Sequence, residues 1–301
     1  MAEGAKTLVI WGRCFRLSLL PTAMADGLAG FAIAGLTEFP MDSKLLLFVC
    51  SAGIYHGAMG LNDWADRVKD KTERPERPIP SGALRANSVL SAAIALVTLG
   101  VASAFSLDFR LGLWMTGIAT LAVAYDLFLR GPLLGPLCLA ICRAMHMAAP
   151  ALWLAPERLM DYWYLPAGYG AYVFSVSRLA RLEEKTAEEL GSTPSKMIFL
   201  QTACFAVPLA AALLKHELSS PLTFTFLATA GAVILVKQTL GSSEWNPARV
   251  QASVGTALRL LLVYSAACAL TGGGSYGFIA AALILLGYPL AHSLRKVFPP
   301  T

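Results

Sequence analysis

The densest polar chemistry in the sequence is the run Asn62-Asp63-Trp64-Ala65-Asp66-Arg67-Val68-Lys69-Asp70. Asn62, Asp66 and Asp70 are four apart, which on a continuing helix puts an amide and two carboxylates on one face. Like charges at that spacing repel, so the pattern serves stability poorly and makes sense around a cation. Hard oxygen donors of this kind suit Mg2+, which keeps waters and bridges to substrate phosphates. Asp63 adjoins the set as a further candidate ligand. The stretch that follows, Lys71-Thr72-Glu73-Arg74-Pro75-Glu76-Arg77-Pro78-Ile79-Pro80-Ser81-Gly82, adds the fork donors Arg74 and Arg77 in a proline-stiffened loop. Arginine suits phosphate recognition. Together these read as a metal–diphosphate site. The competing reading, a solvated helix end with incidental charge, does not account for the spacing and the Arg-Pro pattern occurring together.

The elements that must carry this run are set by composition. The chain has 301 residues, 56% hydrophobic and 14% charged, with a mean hydropathy of +0.60. A soluble domain is about 45–50% apolar and ~25% charged, so both figures point to a lipid-embedded chain and away from disorder. Six cysteines, several inside apolar runs, exclude a disulfide scaffold. Cys138 and Cys142 read as helix packing. A span needs ~20 apolar residues. Ten stretches qualify, near 15–36, 45–62, 87–106, 110–129, 132–155, 162–182, 196–215, 221–240, 249–271 and 275–294. They are continuously apolar, not alternating, which predicts helices. The expected fold is an all-α polytopic membrane bundle of nine to ten transmembrane helices, one domain over 1–301. The N-terminus is not expected to be a cleavable signal peptide.

Basic residues orient the bundle. With ten spans, one side collects Lys6, Arg13, Arg16, Arg67, Lys69, Lys71, Arg74, Arg77, Arg85, Arg130, Arg178, Arg181, Lys185, Lys196, Lys237, Arg249, Arg295 and Lys296. The other side has only Lys44, Arg110, Arg158 and Lys215, while Arg143 and Arg259 fall within spans. The positive-inside rule makes the crowded side cytoplasmic. The net charge of +5 then needs no nucleic-acid partner. The two longest polar connections, roughly 63–86 and 183–195, both lie on that side.

Asn62-Asp63-x-x-Asp66-x-x-x-Asp70 with Arg74-Pro75-Glu76-Arg77-Pro78-Ile79-Pro80-Ser81-Gly82 resembles the first aspartate-rich motif of the UbiA superfamily of intramembrane prenyltransferases. Tyr125-Asp126-Leu127-Phe128-Leu129-Arg130 is similar to that family's Tyr and Lys/Arg element after the fourth span. The resemblance implies about nine spans around a central cavity open to lipid. It implies Mg2+ as cofactor, a prenyl diphosphate as substrate and a hydrophobic or aromatic acceptor. Asn62, Asp66 and Asp70 would act with Tyr125, and Arg74, Arg77 and Arg130 would grip the diphosphate. The Arg-Leu-Ala-Arg-Leu-Glu-Glu run is similar to a branch found in bacterial Ebo gene clusters, which implies a bacterial inner membrane.

The family's second Asp-x-x-x-Asp motif is missing. Its place holds Ser177-Arg178-Leu179-Ala180-Arg181-Leu182-Glu183-Glu184-Lys185-Thr186-Ala187-Glu188-Glu189-Leu190-Gly191. In one reading Glu184 and Glu188 (or Glu183) ligate a second Mg2+. In another Arg178, Arg181 and Lys185 contact the diphosphate directly, fixed cations replacing a metal. In a third the segment is an amphipathic helix end.

Ionisable groups at membrane depth are functional candidates by default. Asp26, in the first span, could touch an acceptor or carbocation, or pair with Arg143 or Arg13. Arg143 could reach the diphosphate and His146, three residues on, could act as a base. His56 is rotated away from the Asn62 face, so packing or a hydrogen bond is expected of it. Arg259 is expected to snorkel. The function these residues imply is ionisation of a prenyl diphosphate and transfer to an acceptor, with release of pyrophosphate. The alternatives are a membrane terpene cyclase, in which the chain's own double bond attacks, and a transporter or lipid-binding protein.

Overall fold

A computed structural model describes residues 3–35, 41–215, 221–240, 244–271 and 274–299. Among them every regular element is a helix, as a bilayer demands of segments that must satisfy their own backbone groups. By internal packing the chain divides into two units. One is Met1–Gly27, Phe39–Leu129 and Leu286–Thr301; the other is Leu28–Glu38 and Arg130–Leu285.

The first unit holds α1 (Glu3–Cys14), a short 3-10 turn (Leu17–Leu19) and the start of α2 (Leu20–Ala34). Next come α3 (Met41–Asp66), α4 (Asp70–Glu73), α5 (Ala86–Leu107) and α6 (Phe109–Leu127). Helix α3 packs along α5 at bare backbone. A Cβ added at Gly53 would lie 2.6 Å from the Leu96 carbonyl oxygen, and one at Gly100 2.8 Å from that of Cys50. The sharp turn into α6 is fixed by Asp108, whose carboxylate accepts from the N–H groups of Arg110 and Leu111 at 2.8 and 3.0 Å. Beside the acidic run, Cys14, Phe15, Leu61, Leu84, Val89 and Ala93 form a buried apolar cluster. It draws α1 and the loop after α4 onto α3 and α5.

The second unit takes the end of α2, then α7 (Leu134–Leu154), α8 (Pro156–Tyr162), α9 (Tyr164–Ala180), α10 (Ala187–Leu190) and α11 (Thr193–Cys204). It continues through α12 (Ala206–Lys215), α13 (Pro221–Leu240), α14 (Pro247–Thr271) and most of α15 (Gly274–Val297). Its centre is a cluster of Tyr169, Tyr172, Phe205 and Tyr264, with neighbouring ring centroids 5.1 to 5.6 Å apart.

Among the described residues each of the ten predicted spans lies largely on helix (Leu36, the end of the first, lies outside them), but 196–215 is broken at Phe205 into α11 and α12. Pro208 explains the break: it lacks the N–H that would bond the carbonyl four residues back, at Cys204. The buried Tyr264 hydroxyl donates to that Cys204 carbonyl at 3.0 Å. Among the described residues six helices are long and apolar enough to cross a membrane, against the nine to ten expected. The stretches near 110–129, 162–182, 196–215 and 221–240 are helical but fall outside that set.

Candidate active site

The acidic run sits at the end of α3, and the helix does not continue through it. Helix α3 stops at Asp66, residues 67–69 form a turn, and Asp70 opens α4. Arg67 closes α3: its Nη1 donates to the Trp64 carbonyl at 2.8 Å and its guanidinium lies 4.3 Å from the centre of the Trp64 ring. A cation at a helix C-terminus is favoured by the helix dipole. The expected stack of Asn62, Asp66 and Asp70 on one continuous face is therefore interrupted between Asp66 and Asp70.

Each member has a distinct environment. Asn62 is half-buried, and its Nδ2 donates to Asp126 Oδ1 at 2.9 Å. This bond uses the amide's donor side, so the carbonyl oxygen is the atom a cation would meet. Asp126 is itself buried near the end of α6, one residue after the half-buried Tyr125. Asp66 is half-buried. Asp63 and Asp70 are both buried, and Arg77 bridges them, its Nη1 lying 2.7 Å from Asp70 Oδ2 and 3.5 Å from Asp63 Oδ1. Arg16 approaches Asp63 Oδ1 from the other side at 3.3 Å.

The loop that delivers Arg77 is a series of tight turns. Arg77 N–H bonds to the Arg74 carbonyl, Ser81 N–H to Arg77, and Leu84 N–H to Pro78. Gly82 closes it at φ +78, a left-handed conformation open to glycine. The loop turns Arg77 inward and leaves Arg74 exposed.

The N-terminal turn is equally constrained. Arg16 has φ 51 and ψ 47, and is the one non-glycine residue with positive φ among the described residues. That conformation costs about 1–2 kcal/mol for a residue with a Cβ. It persists because Arg16 is held to Asp63 and to Met59 Sδ, and because His56 Nδ1 donates to the Phe15 carbonyl at 2.7 Å. His56 thus has the hydrogen-bonding role expected of it. Burial pushes the neighbouring Cys14 thiol up to about 12, with the Asp63 carboxylate adding to the effect.

In the second unit the basic and acidic candidates separate. Helix α9 ends at Ala180, and residues 181–185 are turns. Thr186 then opens α10 with a capping box: Glu189 accepts from the Thr186 N–H at 3.0 Å, and the Thr186 side chain is bonded at the same end. These bonds hold the Glu189 carboxyl below its ordinary range. Glu184 and Glu188 are exposed and lie on either side of this helix start, so their spacing of four is not a shared helical face. Arg178 donates to the Pro132 carbonyl and Arg181 to that of Arg130 at 3.0 Å, fastening the end of α9 to the approach of α7. Lys185 is exposed and Arg130 half-buried. Arg143 is buried in α7, where its Nη2 donates to the Tyr169 hydroxyl at 2.6 Å, and His146 is buried one turn on. Asp26 is fully buried in α2. Arg259 is held locally, on Thr256 Oγ1 at 3.0 Å.

Among the described residues no three His, Cys, Asp or Glu side chains form a metal-holding group. The donor chemistry at the end of α3 still fits Mg2+, which takes one or two carboxylates and keeps the rest of its shell as water. Sequence reasoning missed the inward turn of Arg77 and the role of Arg16. It also missed the Thr186-x-x-Glu189 capping box, a signature that was present in the residues themselves.

Fold and site together define a polytopic helical membrane protein with an acidic run at the end of one helix. A model of the UbiA prenyltransferase family matches residues 19–253, and the chain belongs to that family. Its long apolar helices make it an integral membrane protein. It is 34% identical over 101 residues to a digeranylgeranylglyceryl phosphate synthase of Methanosarcina barkeri, covering 33% of this chain and 35% of that one. It is 33% identical over 132 residues to the protein of the same name from Methanoregula boonei, covering 43% and 45%. The chain thus aligns with less than half the length of these curated relatives. Among solved structures, a UbiA homolog from Aeropyrum pernix K1 superposes with a TM-score of 0.66 at 17% identity, over 82% of this chain and 96% of the other. A UbiA homolog from Archaeoglobus fulgidus, bound to GPP and Mg2+, does so with a TM-score of 0.59 at 14% identity, over 86% and 99%.

Proposed function

We propose that the chain is an Mg2+-dependent intramembrane enzyme that ionises a prenyl diphosphate and transfers the prenyl group to a hydrophobic or aromatic acceptor, releasing pyrophosphate. The observation that carries this reading is the end of α3, where Asn62 and Asp66 are half-buried and Asp70 follows, buried, at the start of α4. The bond from Asn62 Nδ2 to Asp126 fixes which amide atom remains to bind a cation. Asn62, Asp66 and Asp70 would hold Mg2+, and the ion when bound supplies neutralisation of the charge that builds on a departing diphosphate.

The chain's own groups do the rest. Exposed Arg74 offers fork donors to phosphate oxygens beside the carboxylates. In the second unit Arg130, Arg178, Arg181 and Lys185 are the cations offered to a phosphate-bearing substrate. Arg178 and Arg181 each spend a donor on a backbone carbonyl, which fixes the position of a guanidinium that has five. Tyr125 presents an aromatic face suited to an allylic cation. Arg143, His146 and Asp26 are buried polar groups within apolar helices, suited to an acceptor's polar atoms. Glu184 and Glu188, being exposed, are proposed only as outer ligands of a second cation. The apolar bundle keeps water from the cation. The excess of Lys and Arg supports a cytoplasmic site.

A glyceryl phosphate lipid is the first acceptor to try, because the archaeal relatives are named for a digeranylgeranylglyceryl phosphate. The test is to incubate purified protein with Mg2+ and geranyl, farnesyl or geranylgeranyl diphosphate, with and without lipid and aromatic acceptors. Acceptor-dependent pyrophosphate release with a prenylated product supports the reading. Release of a hydrocarbon without any acceptor contradicts it.

A further inference from the structure

Asp63 lies within the acidic run and Arg77 in the loop that follows it, yet both side chains are almost wholly buried. Arg77 is 3% exposed and Asp63 2%. The four charged groups Arg16, Asp63, Arg77 and Asp70 are linked in order by contacts of 3.3, 3.5 and 2.7 Å. Two cations and two anions make the chain neutral, as buried charges must be.

The two carboxylates in it are not equivalent. Asp63 Oδ1 already faces two guanidiniums and Asp63 Oδ2 is buried without a hydrogen-bond partner, so a dication on this carboxylate would meet both guanidiniums at close range and have no water path to complete its shell. Asp70 faces one guanidinium, through Oδ2 alone, and its other oxygen can serve as a ligand. Ligating carboxylates are commonly held by outer hydrogen bonds that fix their orientation. The site is also braced from behind, since Arg16 reaches Asp63 from a strained backbone that the packing holds in place.

We propose that Asp63 and Arg77 are positioning residues of the cation site, and not a ligand of the metal or a grip on the diphosphate. Arg77 orients Asp70, and Asp63, backed by Arg16, anchors Arg77. This rests on the reading that Asp66 and Asp70 hold the cation.

The test uses the purified full chain and two readouts: Mn2+ binding by electron paramagnetic resonance, and the Mg2+ dependence of pyrophosphate release. Arg77→Met raises the Mg2+ needed for half-maximal release by roughly 10–100-fold, and Arg77→Lys recovers part of it. At saturating Mg2+ the KM for the prenyl diphosphate stays at the wild-type value. Asp63→Asn gives the same shift, and Asp63→Asn with Arg77→Met is no worse than Arg77→Met alone. The double variant removes one charge of each sign and keeps the buried cluster neutral, so it carries the test if Asp63→Asn does not fold. A raised KM at saturating Mg2+ in Arg77→Met overturns the proposal, as that is the mark of a diphosphate contact. Loss of Mn2+ binding in the double variant as complete as in Asp66→Asn also overturns it. Wild-type Mn2+ binding and activity in Asp66→Asn would remove the underlying reading instead.

Discussion

Asn62 and Asp126 are 64 residues apart in sequence, and the Asn62 amide nitrogen lies 2.9 Å from Asp126 Oδ1. The bond ties the end of α3 to the end of α6 and orients the Asn62 carbonyl oxygen. A residue that orients a ligand costs about 10–100-fold when removed. Asp126→Ala and Asn62→Ala are each expected to lower pyrophosphate release by that order, and the double variant to fall no further than Asn62→Ala. Additive losses would show that Asp126 acts on something other than Asn62.

The break between α11 and α12 offers a test by rescue. Tyr264→Phe removes the donor to the Cys204 carbonyl, a buried acceptor that Pro208 leaves without a helical partner. The expected cost is about 1–3 kcal/mol, read as a lower midpoint of thermal unfolding in detergent. Adding Pro208→Ala restores a backbone N–H and is expected to recover most of the loss.

Gly53 and Gly100 set how closely α3 and α5 approach. Gly100→Ala puts a Cβ 2.8 Å from a backbone oxygen that cannot swing aside, with an expected cost of about 1–3 kcal/mol. Gly27, in α2, meets nothing within 4 Å. Gly27→Ala is therefore expected to be neutral or stabilising through helix propensity. Equal loss in both variants would contradict the packing account.

The capping box of α10 gives a pH dependence of known sign. Glu189 has its carboxyl held down by Thr186. Its contribution is fully present above the ordinary glutamate value and is lost as pH falls through the lowered folded value. Protection of the α10 amides, taken relative to their intrinsic exchange rate at each pH, is expected to hold at neutral pH and to fall at the acid end of that window. Thr186→Ala is expected to show the lower protection at every pH.

The sequence made the bundle legible because hydropathy is a local property: among the described residues each of the ten apolar stretches lies largely on helix. The acidic run was legible for the same reason, since charge in a lipid-embedded chain gathers where chemistry occurs. What it left open depends on contacts between distant residues. The capping of α3 by Arg67 interrupts a spacing that had implied one continuous face. Arg77, read as a phosphate donor, turns inward because its loop closes on the Cys14–Phe15 cluster and two carboxylates wait there. Asp126 lies 64 residues from Asn62, so their pairing could not be read from spacing. The Thr186-x-x-Glu189 signal was local, and it shows why Glu184 and Glu188 do not stack as their spacing suggested.

The central claim is that Asp66 and its neighbours hold the cation that lets a prenyl diphosphate ionise. Pyrophosphate release by wild type and Asp66→Asn, titrated with Mg2+ in the presence of a prenyl diphosphate and an acceptor, tests it most directly. The expected result is Mg2+-dependent release by wild type, reduced roughly 10²-fold or more in the variant. Equal release by the two proteins, or release by wild type that Mg2+ does not affect, would contradict it.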